Sequence, residues 1–198
     1  MAQKRLNARE QDSNGSSVAQ KLTRIAQLEQ EIAFRKGLRL AESKFSNGNN
    51  AHSFSDCDEE LRRFIDSNIV AIRRSDIQGN VKELNDATVA LFGYTREEYL
   101  SGAVLWNQMT VPEYRHLDRA AIESVKATGK AAQWEKQYIC KDGRIVTVLI
   151  GVFAADTTGN DCFSFIFDIT DRKRIEAEVL KSEAQFRILA EAIPQIVY

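Results

Sequence analysis

Two histidines, three cysteines and a few acidic runs are the residues of this chain that could do chemistry. Phosphotransfer needs a histidine beside an acid on a helix, and neither His52 nor His116 has that surrounding. No P-loop or glycine-rich nucleotide-binding string is present. Cys57, Cys140 and Cys162 are odd in number, far apart and without metal-ligand spacing. They read as buried structural thiols in a reduced, cytoplasmic setting. Asp58-Glu59-Glu60 reads as the solvated start of a helix. With no nucleophile beside a base and no metal cluster, the residues point away from catalysis. Asp118 falls beside Tyr114 and Ile122 on the edge of an apolar stripe, where it could hydrogen-bond a polar ligand or simply cap a pocket rim.

Bulk properties narrow the partners. The 198 residues are 43% hydrophobic and 28% charged, a globular profile with apolar material for a core. A formal net charge of -1 argues against a dedicated nucleic-acid surface. No apolar run approaches the ~18 residues of a membrane span. The opening MAQKRLNAREQDSNGSS has no signal-peptide core.

The elements that must position these residues fall into segments. Residues 1–16 read as a disordered tail. Residues 17–45 read as a helix whose stripe of Val18, Leu22, Ile25, Leu28 and Ile32 suits either a coiled coil or a helix lying on a neighbouring domain. Residues 46–55, around SNGNNAHSFSD, read as a linker. Residues 56–171 read as the folded core. A short helix there, capped by Asp56 or Asp58, carries Leu61, Phe64 and Ile65; IVAIRRSD and VKELN form a hairpin turning on Gly79. Asp86 caps and Gly93 ends a short helix; Thr95 and Glu98 stand at capping-box spacing, and a longer helix runs from Pro112 to Gly129. Three strands follow. The first, AQWEKQYIC, puts Trp134, Lys136, Tyr138 and Cys140 on one side; RIVTVLIGVFAAD and DCFSFIFDIT complete them. The predicted fold class is α+β: a five-stranded antiparallel sheet with helices on one face, flanked by N- and C-terminal coiled-coil-like helices.

Beyond Thr170 a heptad continues through Ile175, Val179, Ser182, Phe186, Leu189 and Ile193, favouring a helix that projects and pairs. EELRRFIDSNIVAI also resembles SEAQFRILAEAIPQIV at an offset of 124 residues, pairing Glu59 with Glu183 and Ile65 with Leu189. Residues 172–198 therefore read as a helix running into the start of a second, truncated copy of the core.

These strings resemble the PAS family of sensory domains across roughly residues 57–172. Asn85 with ATVALFGYTREEYL is similar to that family's N-x-A-x-x-x-x-x-G-Y-T-x-x-E-L stretch. KDGRIVTVLIG resembles its KDG turn and following strand, and FDITDRKRIEAEVLKSE its PAC-like last strand and outgoing helix. The resemblance implies a sensory module that passes a small-molecule or redox-type signal through an Asp168-Ile169-Thr170 joint into the exit helix. Asp168, Thr170 and Arg172 are the implied transmission residues, with Thr170 or Asp171 able to cap the helix and Asp168 close enough to pair with Arg172.

The family's cofactors can be checked by residue. Flavin photosensors carry a reactive cysteine in a G-x-N-C-R-F-L-Q stretch; SGAVLWNQMTVPEY has none. Haem sensors carry an axial histidine in a Y-R-H-x-H-D run; in YRHLDRA that position holds Asp118, a poor haem ligand, and His116 lies about 200° around the helix from it. No cofactor is therefore predicted, and an unidentified small ligand stays open. Its candidate pocket is Trp106, Tyr114, Asp118, Trp134, Tyr138 and Phe153, although an aromatic stripe also serves as plain core. The implied partners are a second copy, through the flanking helices, and a downstream effector, a histidine kinase by resemblance to multi-PAS bacterial sensors. The alternatives are a diguanylate cyclase effector, or a ligand-free PAS scaffold for dimerisation.

Overall fold

Strand periodicity sets the architecture. The computed structural model describes residues 24–25, 28–29, 31–37, 39–40, 59–129, 133–155 and 158–192. The strands are β1 (Ala71–Asp76), β2 (Val81–Leu84), β3 (Trp134–Ile139), β4 (Ile145–Ala154) and β5 (Asp161–Asp168). All pairings are antiparallel in the order β2-β1-β5-β4-β3, so β5 is central and holds both neighbours. This is the predicted α+β, five-stranded sheet.

Period-two alternation sorts the side chains of the sheet into two cores. Ala71, Tyr138, Val146, Val148, Ile150 and Ile166 face one way and pack with Phe92, Tyr99 and Met109. Ile72, Phe153, Phe163, Phe165 and Phe167 face the other way and pack with Phe34, Leu61 and Ile65. Between β2 and β3 the chain forms α2 (Asp86–Phe92), α3 (Arg96–Leu100), α4 (Trp106–Met109), a 3-10 turn (Pro112–Tyr114) and α5 (Arg115–Thr128). These are the helices expected on one face. The second face is covered as well, by α1 (Glu59–Asp66) and helical residues 31–37, where Phe34 stacks on Phe167 at 5.8 Å between centroids and Phe64 on Phe165 at 6.4 Å.

Local signals fix the element ends. Gly93 ends α2 in the left-handed conformation, φ 78°, and Thr95 with Glu98 forms the capping box of α3. The α2 cap, however, is Asn85 and not Asp86. Both types cap well, and the choice falls to tertiary bonding: the Asn85 amide also donates to the carbonyls of Ile65 and Val70 and its oxygen accepts from Ile72 N–H. A carboxylate, with no donor, could not hold those two carbonyls.

Helix α6 (Thr170–Ala192) leaves β5 after one residue. Ile175 and Val179 are exposed along it, as are Ile25, Leu28 and Ile32 of the N-terminal stripe. The residues expected to begin a second copy, from about Ser182, continue as the same helix up to Ala192. Val18, Leu22, His52, Asp56, Cys57, Asp58 and Ile193 lie outside the described residues. No described helix is long and apolar enough to cross a membrane.

Candidate functional site

A cavity of about 40 Å³ lies between the sheet and α5, with room for a few waters or one small solute. The β1–β2 turn builds one end of it. The Asp76 carboxylate accepts from the N–H groups of Gln78, Gly79 and Asn80 and from the Asn80 amide, which closes DIQGN into a tight turn. That turn grips α4: Trp106 N–H donates to the Gly79 carbonyl and Asn107 Nδ2 to that of Gln78. Gly79 takes φ 117°, and a Cβ there would sit 2.9 Å from the Asn107 amide oxygen, so glycine is required. Trp106 Nε1–H in turn bonds the Asp76 carbonyl at 3.0 Å, fixing its ring against the cavity.

Alternation in β3 aims Trp134, Lys136 and Tyr138 at the same space. On α5, Asp118, Ile122 and Val125 recur at i, i+4 and i+7 and line the facing wall. Lys136 and Asp118 meet there, Nζ to Oδ1 at 2.6 Å, with 1% and 6% of their side chains exposed. Thr110, held by an antiparallel bridge to Tyr138, donates to Asp118 Oδ2 at 2.8 Å and accepts from Lys136 at 3.2 Å. Asp118 is therefore a wall residue with all its strong contacts inside the protein, and not a rim cap.

The second buried cation is Arg73 on β1. It is 1% exposed and bonds the Tyr138 hydroxyl through Nη2, while Nε and Nη1 have no hydrogen-bond partner. Its guanidinium lies 5.3 Å from the Tyr138 ring centroid and 5.9 Å from that of Trp106. The Lys136 ammonium lies 4.2 Å from the Tyr138 centroid and 5.2 Å from Trp106. Aromatic faces thus carry part of what water would otherwise supply to two cations.

Of the six pocket candidates, Trp106, Asp118, Trp134 and Tyr138 line this cavity. Phe153 is an odd-numbered residue of β4 and faces the opposite core, edge-on to Phe165 at 6.0 Å. Tyr114 precedes α5, outside the lining. His116 is exposed, with Nδ1 2.8 Å from the Glu113 carbonyl oxygen. Arg73, Thr110, Ser75 and Ser164 were not singled out from the sequence. The usable signal was strand parity: adjacent arginines at 73 and 74 must face opposite sides of β1, so one of them points inward.

The joint lies where β5 becomes α6. Thr147 N–H on β4 donates to Thr170 Oγ1 at 2.9 Å, and Ile169 N–H donates to the Thr147 carbonyl at 2.8 Å. The Asp168 carboxylate accepts from Thr170 N–H at 2.8 Å. The expected Asp168–Arg172 pair does not form. Arg172 instead reaches forward to Glu176 at 2.8 Å and across to Glu31 of the N-terminal helical stretch at 3.8 Å. On the exposed side of a helix the i, i+4 partner is the nearer one. Glu176 holds the Arg172 guanidinium's affinity for its proton above the ordinary value. Lys173 ties α6 to Glu135 on β3 at 2.7 Å.

A family model described as PAS fold matches residues 81–164. The hybrid signal transduction protein dokA of Dictyostelium discoideum is 27% identical over 129 residues, which cover 65% of this chain and 8% of that protein's length. Among solved structures, the PAS domain of a Colwellia psychrerythraea protein superposes with a TM-score of 0.50 at 23% identity, covering 57% of this chain and 97% of that one. A sensory box histidine kinase/response regulator from Burkholderia thailandensis gives 0.51 at 17% identity, covering 65% and 98%. At these identities the structural likenesses show the fold.

Proposed function

The chain carries a domain of the PAS family of sensory modules, and from that premise we propose that it takes a small-molecule or redox-type signal in the cavity and relays it through Asp168, Ile169 and Thr170 into α6. The observation that carries this reading is the position of β5. Its Cys162 and Ser164 line the cavity, its Phe163, Phe165 and Phe167 pack under the flanking helices, and its end is bonded to the first residue of α6. A shift of β5 caused by a ligand would be felt at once by the exit helix and by residues 31–37.

In this reading residues 56–171 are the sensor and residues 172–198 carry the signal toward a following PAS copy and an effector beyond it. That effector is a histidine kinase, with a diguanylate cyclase as the alternative. The exposed apolar stripes of Ile25, Leu28 and Ile32 and of Ile175 and Val179 favour a homodimer paired through the flanking helices. Arg172, bridging Glu31 and Glu176, ties the two helices to one another at the joint.

The test is a chimera in which α6 is joined in heptad register to the catalytic core of a histidine kinase. Asp168→Ala and Thr170→Val should each change autophosphorylation while leaving the melting transition cooperative. Unaltered output from both folded variants would overturn the relay. Retained dimers with indifferent output would mark a scaffold.

A further inference from the structure

One cation of the cavity wall, Arg73, has no described carboxylate paired with it. The walls hold two buried cations, Arg73 and Lys136, and the carboxylate of Asp118 is taken by Lys136. The other carboxylate at the cavity, Asp76, spends both oxygens on the turn from Gln78 to Asn80. No described carboxylate pairs with Arg73, and two of its three nitrogens have no acceptor. A buried guanidinium in that condition is costly unless something anionic meets it. Trp134 adds a third orphaned donor on the same cavity, since its Nε1–H is buried without a partner. Donors without acceptors, beside a guanidinium that no described carboxylate meets, define the missing chemistry. It is a monoanion with acceptor oxygens.

The rest of the lining narrows the class. Ile122, Val125, Ile150 and Val152 are apolar, and about 40 Å³ excludes anything as large as a nucleotide or a tetrapyrrole. A doubly charged phosphate carries more charge than the one unpaired cation, Arg73, can meet. We propose that the cavity binds a short-chain monocarboxylate, its carboxylate held by Arg73 with Trp134 Nε1 as a second donor and its hydrocarbon end against the aliphatic wall. Tyr138, already bonded to Arg73, sets the guanidinium's orientation. This names the ligand class for the sensory reading above and rests on that reading for its place in signalling, although binding can be tested without it.

The full chain is titrated with sodium propionate at constant ionic strength, following the fluorescence of Trp106 and Trp134 and the heat of binding. Propionamide, the neutral analogue, and sodium nitrate, an oxyanion without a tail, are run alongside. Saturable binding of propionate, with propionamide and nitrate at least about tenfold weaker, is expected. Arg73→Met should weaken propionate binding at least about tenfold and Trp134→Phe a few-fold. Should Arg73→Met fail to fold, Trp134→Phe and the propionamide comparison decide the matter. No saturable propionate binding, propionamide binding as well as propionate, or unchanged affinity in folded Arg73→Met would each overturn the proposal, and nitrate matching propionate would overturn the carboxylate assignment. Failure here leaves the chimera result untouched, and an unresponsive chimera with intact propionate binding removes only the relay.

Discussion

Lys136 of β3 and Asp118 of α5 form an ion pair 2.6 Å long with both side chains almost fully buried. It is a buried polar link between α5 and the sheet, and Thr110 completes it from the segment before α5. Removing one partner leaves a buried charge alone. Asp118→Ala or Lys136→Met should therefore each cost about 3–5 kcal/mol in urea unfolding. The double replacement Lys136→Met with Asp118→Leu should cost less than either single change, because the desolvation penalty disappears with both charges. Additive losses in the double variant would show that the pair is not energetically coupled.

Asn85 is the corresponding node on the other side of β1. Its side chain joins Ile65, Val70, Ile72 and Thr88, so one residue ties α1, β1 and α2 together. Asn85→Ala would orphan several buried backbone groups at about 1–3 kcal/mol each. A loss of at least about 3 kcal/mol is expected. Asn85→Asp keeps the cap oxygen and loses the two donors, so it should recover only part of that. If Asn85→Asp matches the wild type, the carbonyls of Ile65 and Val70 are not relying on the amide.

These two nodes show what the chain discloses by itself. The Trp134, Lys136, Tyr138 face was legible because a strand turns alternate residues the same way. Parity along β4 was equally available: Trp134 pairs with Ile150, so even-numbered residues share the cavity face and Phe153 cannot. Placing Phe153 by residue type, as an aromatic, overrode its register. Arg73 was hidden for a different reason. A charged side chain is read as solvated by default, and only the packing of α4 and α5 over β1 turns the inward arginine into a buried one. Asn85 against Asp86 was a tie between two good caps, decided by residues 13 to 20 positions away. Glu176, the closer partner of Arg172, stands at the local i, i+4 spacing, whereas its longer contact to Glu31, some 140 positions earlier, is one no local pattern can reach.

Phe34 is completely buried against Phe167 although it belongs to the N-terminal helical stretch, well outside the sheet's own sequence. That contact makes the flanking helix part of the domain's core. Phe34→Ala should destabilise the fold by about 3–5 kcal/mol, far more than a tethered helix lying free would allow. A change under about 1 kcal/mol would mean the helix docks only loosely.

Acid should weaken the corner between α3 and the β3–β4 turn in a defined direction. Lys141 donates to both carboxylate oxygens of Glu98, and the Thr95 N–H adds a third bond. The Lys141 bond first, and the Thr95 bond second, hold the Glu98 carboxyl below the ordinary glutamate range. A carboxyl lowered on folding contributes stability above its unfolded value, about 4.3, and loses it as pH falls through the folded one. Glu98→Gln keeps a capping side chain but cannot titrate. The wild type should exceed it in stability at pH 7, and the gap should shrink by pH 3. A gap that is constant over that range would remove the charge from the explanation.

The joint makes the most local prediction. Thr170 Oγ1 is the acceptor for the Thr147 N–H, and Ile169 N–H returns a bond to the Thr147 carbonyl, so β4 and the start of α6 are locked through one residue pair. Thr170→Val keeps the shape and removes the acceptor. A net bond of this kind is worth about 1 kcal/mol, so the Thr147 amide should exchange with deuterium roughly fivefold faster in the variant. Amides in the middle of β5 should be unchanged, because their partners lie on β1 and β4 within the sheet. Acceleration confined to Thr147, Ile169 and the first turn of α6 would identify the pair as the local latch of the exit helix. Uniform acceleration across the sheet would instead report a global loss of stability, and no acceleration at Thr147 would mean that the hydroxyl is not its acceptor in solution.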